Sequence, residues 1–169
     1  AQITGCCNLF ESLLRHRHPW FRRYFAPIIG YRRHRLTMTK WHEAILSKLD
    51  GYIGFDIDFD DALITVSCKH AERFDVSFHA FGSEFQVNFD GWHEHFETEE
   101  EALNCFAFGL SKECRLKVTK RGAMECSWTV QAWQDDTWVD DTTTGLILIP
   151  FWRPKKIEYR HNLIKAKVS

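Results

Sequence analysis

Two histidines one residue apart, His93 and His95, stand in the stretch Asp90-Gly-Trp-His-Glu-His-Phe96. On an extended strand alternate side chains share a face, so both imidazoles would point the same way and offer two ligands to zinc or another transition metal. Glu94 lies on the opposite face of such a strand, and no third ligand is supplied nearby. Exposed histidines at a strand end are therefore the favoured reading, with a His93/His95 metal site as the alternative. No cofactor is expected. The pair His16 and His18 is a weaker candidate, because the neighbouring arginines repel a metal ion. The run Asp56-x-Asp58-x-Asp60-Asp61 has the opening spacing of a calcium loop. It lacks the glycine at the sixth position and ends on Ser67 where a glutamate is needed.

The elements that must hold these residues are legible from periodicity. From Tyr52 to Asp90 the apolar residues recur every second position: Ile53, Phe55, Ile57 and Phe59, then Ile64 and Val66, then Phe74, Val76 and Phe78, then Phe85, Val87 and Phe89. Turns at Asp60-Asp61, at residues 70–72 and at Gly82-Ser83 pair Ile57 with Ile64, Val66 with Val76, and Phe78 with Val87. Each apolar residue then meets another, and a one-residue slip would expose a whole row. A four-stranded antiparallel meander over 52–90 follows. Continued past Phe89, the same parity would send His93 and His95 inward, so a bulge at Gly91 is expected to turn Trp92 and Phe96 inward instead.

The other face of this meander carries short polar groups, with one row reading Asp56, Thr65, Ser77, Asn88 and the next Asp58, Leu63, His79, Gln86. Such a floor suits a small polar ligand or a wet interface better than the long Lys/Glu pairs of a plainly solvated sheet. In an enzyme, His79 with Asp58 or Asp56 would be the acid–base pair. No catalytic triad spacing, nucleophile elbow, phosphate-binding glycine loop or catalytic carboxylate pair accompanies them, so a non-enzymatic role is favoured.

Around the meander, a helix is expected over about 40–50, with Trp41, Ile45 and Leu49 on one face. A second is expected over about 98–112, opened by a Thr98/Glu101 capping box. Strands resume through Cys114, Leu116 and Val118, return through Cys126, Trp128 and Val130, and turn at Asp135-Asp136 to set Trp133 opposite Trp138. Gly-Leu-Ile-Leu-Ile-Pro-Phe-Trp, 145–152, reads as a last buried strand. The expected fold is one α+β domain: an antiparallel sheet of seven to eight strands (the meander plus strands within 114–152), with both helices on one face. A basic, aromatic-rich arm at 1–38 and a basic tail at 153–169 flank it.

Length and composition agree with a single globular domain: 169 residues, 44% hydrophobic and 15% aromatic. Seven tryptophans and fourteen phenylalanines exceed the needs of one small core, so some are expected at an interface or pocket. No apolar run approaches the roughly 18 residues of a membrane span. No signal peptide is expected from Ala1-Gln2-Ile3-Thr4. Six cysteines without a CxxC pair suit reduced thiols in the cytoplasm. Charge is segregated. Residues 1–40 hold eight Lys and Arg against Glu11 alone, residues 41–152 hold eight against twenty-one acids, and residues 153–169 hold six against Glu158. The basic ends are expected to dock on the acidic body or to bind a protein partner or a twin subunit. Nucleic acid or an anionic membrane surface is a further alternative, with the acidic body weighing against nucleic acid. The favoured function is a self-associating, non-catalytic binding protein. Ligand binding or catalysis around His79, and nucleic-acid binding through the arms, stand behind it.

Overall fold

The computed structural model describes residues 38–68, 70, 72–162, 165 and 166. The basic, aromatic-rich arm expected over 1–38, with the His16/His18 pair, lies outside the described residues but for Met38. Among the described residues no helix is long and apolar enough to cross a membrane.

The chain is α+β. Helix α1 spans Lys40–Leu49 and buries Trp41, His42, Ile45 and Leu49. His42 was not foreseen as a core residue. Its Nδ1 lies 2.8 Å from the Thr39 hydroxyl, and its Nε2 lies 2.8 Å from the Asp60 carbonyl, so both ring nitrogens are satisfied on burial. Strand β1, Tyr52–Ile53, pairs with β11, Lys165–Ala166, as a separate two-stranded ribbon.

The meander is present and antiparallel, but it has five strands: β2 (Asp56–Phe59), β3 (Leu63–Ser67), β4 (Val76–Phe81), β5 (Glu84–Phe89) and β6 (Trp92–Phe96), hydrogen-bonded in chain order. The expected registers of β3 with β4 and of β4 with β5 hold, with Val66 opposite Val76 and Phe78 opposite Val87. The first hairpin is shifted by two residues, so that Ile57 faces Val66 and Phe59 faces Ile64. A shift of two preserves side-chain parity, which is why apolar matching alone does not detect it. Its cause is Asp60, whose Oδ1 accepts the Ala62 and Leu63 amides at 2.9 and 3.0 Å, moving the turn to Asp61-Ala62.

The bulge expected at Gly91 is replaced by a hairpin. Asp90 adopts φ 51°, the chain reverses, and Trp92 pairs with Phe89. Asp90 also anchors the turn by accepting the Asp75 amide at 3.0 Å. The reversal puts Trp92 and Phe96 on the inner parity and His93 and His95 on the polar face, as the bulge would have done, by another route.

Helix α2, Glu99–Gly109, is capped as expected, with the Glu101 amide donating to the Thr98 hydroxyl at 3.3 Å. Phe78 joins the two helices to the meander, its ring 4.9 Å from Trp41 and 6.2 Å from Phe106. Gly109 is required by packing: a Cβ there would stand 2.2 Å from the Phe89 ring.

After α2 come β7 (Cys114–Arg121), β8 (Met124–Gln134), β9 (Thr137–Gly145) and β10 (Lys155–Arg160), forming a second sheet in the order β10-β7-β8-β9. The expectation of one sheet of seven to eight strands is therefore corrected. The strands divide into a five-stranded and a four-stranded sheet, which meet through side chains. Leu116, Val118 and Val130 of the second sheet belong to the same buried core as Phe78, Phe89 and Trp92 of the first. A second correction concerns Leu146–Trp152, which is an exposed loop and no strand. The last strand of this sheet is β10, built from the basic stretch that follows.

Candidate functional sites: a polar sheet face and an apolar loop

On the outer face of the meander, Asp58, Thr65, Ser77, Asn88 and His93 form one continuous row, and Leu63, His79, Gln86 and His95 the next. The two-residue shift of the first hairpin exchanges the acids. Asp58 stands beside Thr65, while Asp56 moves outward to face Ser67. Asp58 is thereby separated from His79 by a rung, and the His79–Asp58 acid–base pairing finds no direct contact here.

The polar groups chiefly satisfy one another. Gln86 Nε2 donates to Asn88 Oδ1 at 2.5 Å, Asn88 Nδ2 donates to Ser77 Oγ at 3.0 Å, and Ser77 Oγ lies 3.4 Å from His79 Nε2. The His79 ring stacks on exposed Phe81, with centroids 5.6 Å apart. Partial burial pulls its pKa below the ordinary histidine value, against the opposing charge of Asp60.

His93 and His95 are exposed, with perpendicular rings 6.0 Å apart. No group of three His, Cys, Asp or Glu side chains arranged to hold a metal ion occurs among the described residues. Glu94 faces the seam between the sheets. Burial, and then the charge of Asp141 on β9, push its carboxyl above the usual range, and burial does the same to Asp141.

The outer face of the second sheet carries a ladder that was only partly foreseen. The expected Trp133–Trp138 pair is present at 5.1 Å. The Arg115 guanidinium sits between two rings, 4.3 Å from Trp138 and 4.2 Å from Tyr159, and donates to Gln131. Lys117 pairs with Asp140 beside it at 2.5 Å. These groups lock β7, β8, β9 and β10 together side by side.

Among the described residues, the most exposed apolar surface lies at one end of this sheet, between β9 and β10. Ile147 is 96% exposed, Leu148 86%, Trp152 81%, Phe151 69% and Leu146 47%. Between them Ile149 is half-buried and Pro150 buried, so the loop is pinned in its middle and projects on both sides. Its backbone is fixed by a frame. Leu146 N–H donates to the Cys126 carbonyl at 2.8 Å, Arg153 N–H to Pro150 at 3.0 Å, and Gly122 N–H to Pro154 at 3.2 Å. One Arg121 nitrogen reaches the carbonyls of both Phe151 and Arg153, at 3.3 and 3.1 Å. Gly122, at φ 63°, allows this turn to close under the Arg153 side chain.

The sequence carried a signal for this loop that the strand reading passed over. LILIPFW has no alternation, follows Gly145, contains Pro150 and runs straight into Arg-Pro-Lys-Lys. Comparison of the chain with protein-family models, with curated proteins and with solved structures finds no match.

Proposed function

We propose that this chain is a non-catalytic binding protein whose contact surface is the loop 146–152. One observation carries the reading: five large apolar side chains stand in solvent on a backbone held by Arg121 and by bonds to Cys126 and Gly122. Folded proteins seldom leave so continuous an apolar segment bare unless something covers it in use. The frame matters as much as the exposure, because a pre-ordered loop loses little conformational freedom when it docks. Self-association is one form such docking takes, and a cytoplasmic setting suits buried thiols such as Cys126.

The polar face supports a second reading, ligand binding around His79, with Thr65, Ser77, Gln86, Asn88, His93 and His95 as its floor. Its internal hydrogen bonds leave few groups waiting for a ligand, so it ranks second. Nucleic-acid binding through the basic ends has less support. Arg160, in the C-terminal basic segment, is already engaged by Asp90 and Glu125.

The test compares the full chain with an Ile147→Ser/Leu148→Ser variant, by sedimentation velocity over a range of concentrations and by co-sedimentation with vesicles. An unchanged circular dichroism spectrum verifies the fold. The reading expects at least one association that the variant loses. A parent that stays monomeric and leaves vesicles untouched, indistinguishable from the variant, would overturn it.

A further inference from the structure

We infer that the loop 146–152 and the cations beside it form a docking surface for an anionic lipid membrane. This rests on the binding reading above and names its partner. Three features of one end of the second sheet point the same way.

The first is the chemistry of the tip. Trp152 and Phe151 stand beside Ile147 and Leu148, all more than two-thirds exposed. Aromatic and branched aliphatic side chains together suit the boundary between headgroups and acyl chains, and tryptophan in particular settles there.

The second is the collar of charge. Arg121, Arg153 and Lys155 flank the loop in chain or register, with Lys120 and Lys156 paired one rung below. Arg153 and Lys155 are exposed and have no carboxylate partner among the described residues. The acids at this end, Glu158 and Glu125, are already claimed. Glu158 bonds Lys120 at 2.7 Å and Lys156 at 2.9 Å, and Glu125 pairs with Lys120 and Arg160. A cationic ring around an apolar tip is complementary to anionic headgroups over an apolar interior.

The third is polarity along the sheet. The acidic turn Asp135-Asp136 lies at the opposite end of the β8–β9 hairpin, separated from the loop by the nine residues of β9. At about 3.3 Å per residue that is roughly 30 Å, well beyond the screening length at physiological salt. This acidic turn therefore stands clear of a surface met by the loop.

The other occupants fit less well. Residues 1–37 carry seven arginines against Glu11 alone, so their charge has the same sign as the collar. A two-fold pairing of copies through the loop would bring Arg121, Arg153 and Lys155 face to face with their equivalents.

The experiment uses the full chain with vesicles of phosphatidylcholine alone, or with about a third phosphatidylserine, followed by co-sedimentation and by quenching of Trp152 with brominated lipid. Binding is expected to the phosphatidylserine vesicles, weakening as salt rises, with quenching that disappears in Trp152→Phe. Phe151→Ser and Trp152→Ser are each expected to lower affinity about tenfold or more. Arg153→Gln/Lys155→Gln is expected to lower it roughly 25-fold, and only at low salt. Loop-dependent self-association without vesicle binding overturns the lipid inference and leaves the binding reading standing. Loss of both overturns both. A Trp152 shielded from acrylamide in the lipid-free chain also overturns the inference, because the loop is then covered by another part of the chain or by a second copy.

Discussion

Asn162 shows how much one side chain near the chain's end contributes to the fold. It is fully buried, with its Oδ1 accepting from the Phe74 amide at 3.2 Å and its Nδ2 donating to the carbonyls of Phe74 and Gly109 at 2.9 and 3.2 Å. It thereby replaces strand pairing for the irregular segment before β4 and holds it against the end of α2. Asn162→Ala leaves three buried backbone groups without partners and is expected to cost about 2–4 kcal/mol, read as a lower urea midpoint. A loss under about half a kcal/mol would mean that water takes over those bonds. Nothing in Tyr-Arg-His-Asn-Leu foretells this role, because a local sequence says nothing of which backbone lies against it. His93 and His95 were different. Parity alone would send them inward, and only the cost of burying two imidazoles argues for the polar face; their pairing with Asn88 and Gln86 follows from the hairpin at Asp90.

At the scale of elements, legibility followed periodicity. The hairpin at Asp135-Asp136 and helix α2 each have a pattern that one arrangement satisfies, and each is found; the meander is found too, with a fifth strand and a first hairpin shifted by two residues that parity leaves open. The division into two sheets had no such signature, because alternation is the same whether neighbouring strands bond or pack. The run Leu146–Trp152 misled because hydrophobicity without period was read as burial. The strand that follows, β10, carries charge at four of its six positions, and salt bridges help hold it to β7. Hydrogen bonds from Lys120, then from Lys156, hold the Glu158 carboxyl down to about 2 from the usual 4.5. A carboxylate lowered by folding stabilises the native state fully above 4.5, and that contribution disappears as pH falls through about 2. Amide exchange of β10 is therefore expected to quicken, relative to β8, as pH drops through this window after correction for the intrinsic rate. Glu158→Gln should abolish the difference. Equal acid sensitivity in parent and variant would assign the effect to other groups, such as Asp140, which its bonds from Lys117 and Gln131 also hold below the usual range.

The whole molecule poses the question of whether two sheets without shared strand hydrogen bonds behave as one body. The seam argues that they do. Trp92 of β6 donates its indole N–H to Thr142 of β9 at 3.0 Å, and Arg160 of β10 reaches across to Asp90 in the β5–β6 turn. The closest approach is at Gly91, where a Cβ would stand 2.3 Å from the Trp128 ring, so the turn of the first sheet is cut to fit the face of the second. Because one continuous core runs through both sheets, exposing either half strips apolar cover from the other. Urea unfolding followed by far-ultraviolet circular dichroism and by tryptophan fluorescence is therefore expected to give one coincident transition. Gly91→Ala must displace the Trp128 ring and should lower that transition by about 1–3 kcal/mol in both signals together. If the two signals separate, or if the substitution shifts only one of them, the seam is a contact between two independently folding units. The apolar loop at the end of the second sheet would then be carried by a module of its own.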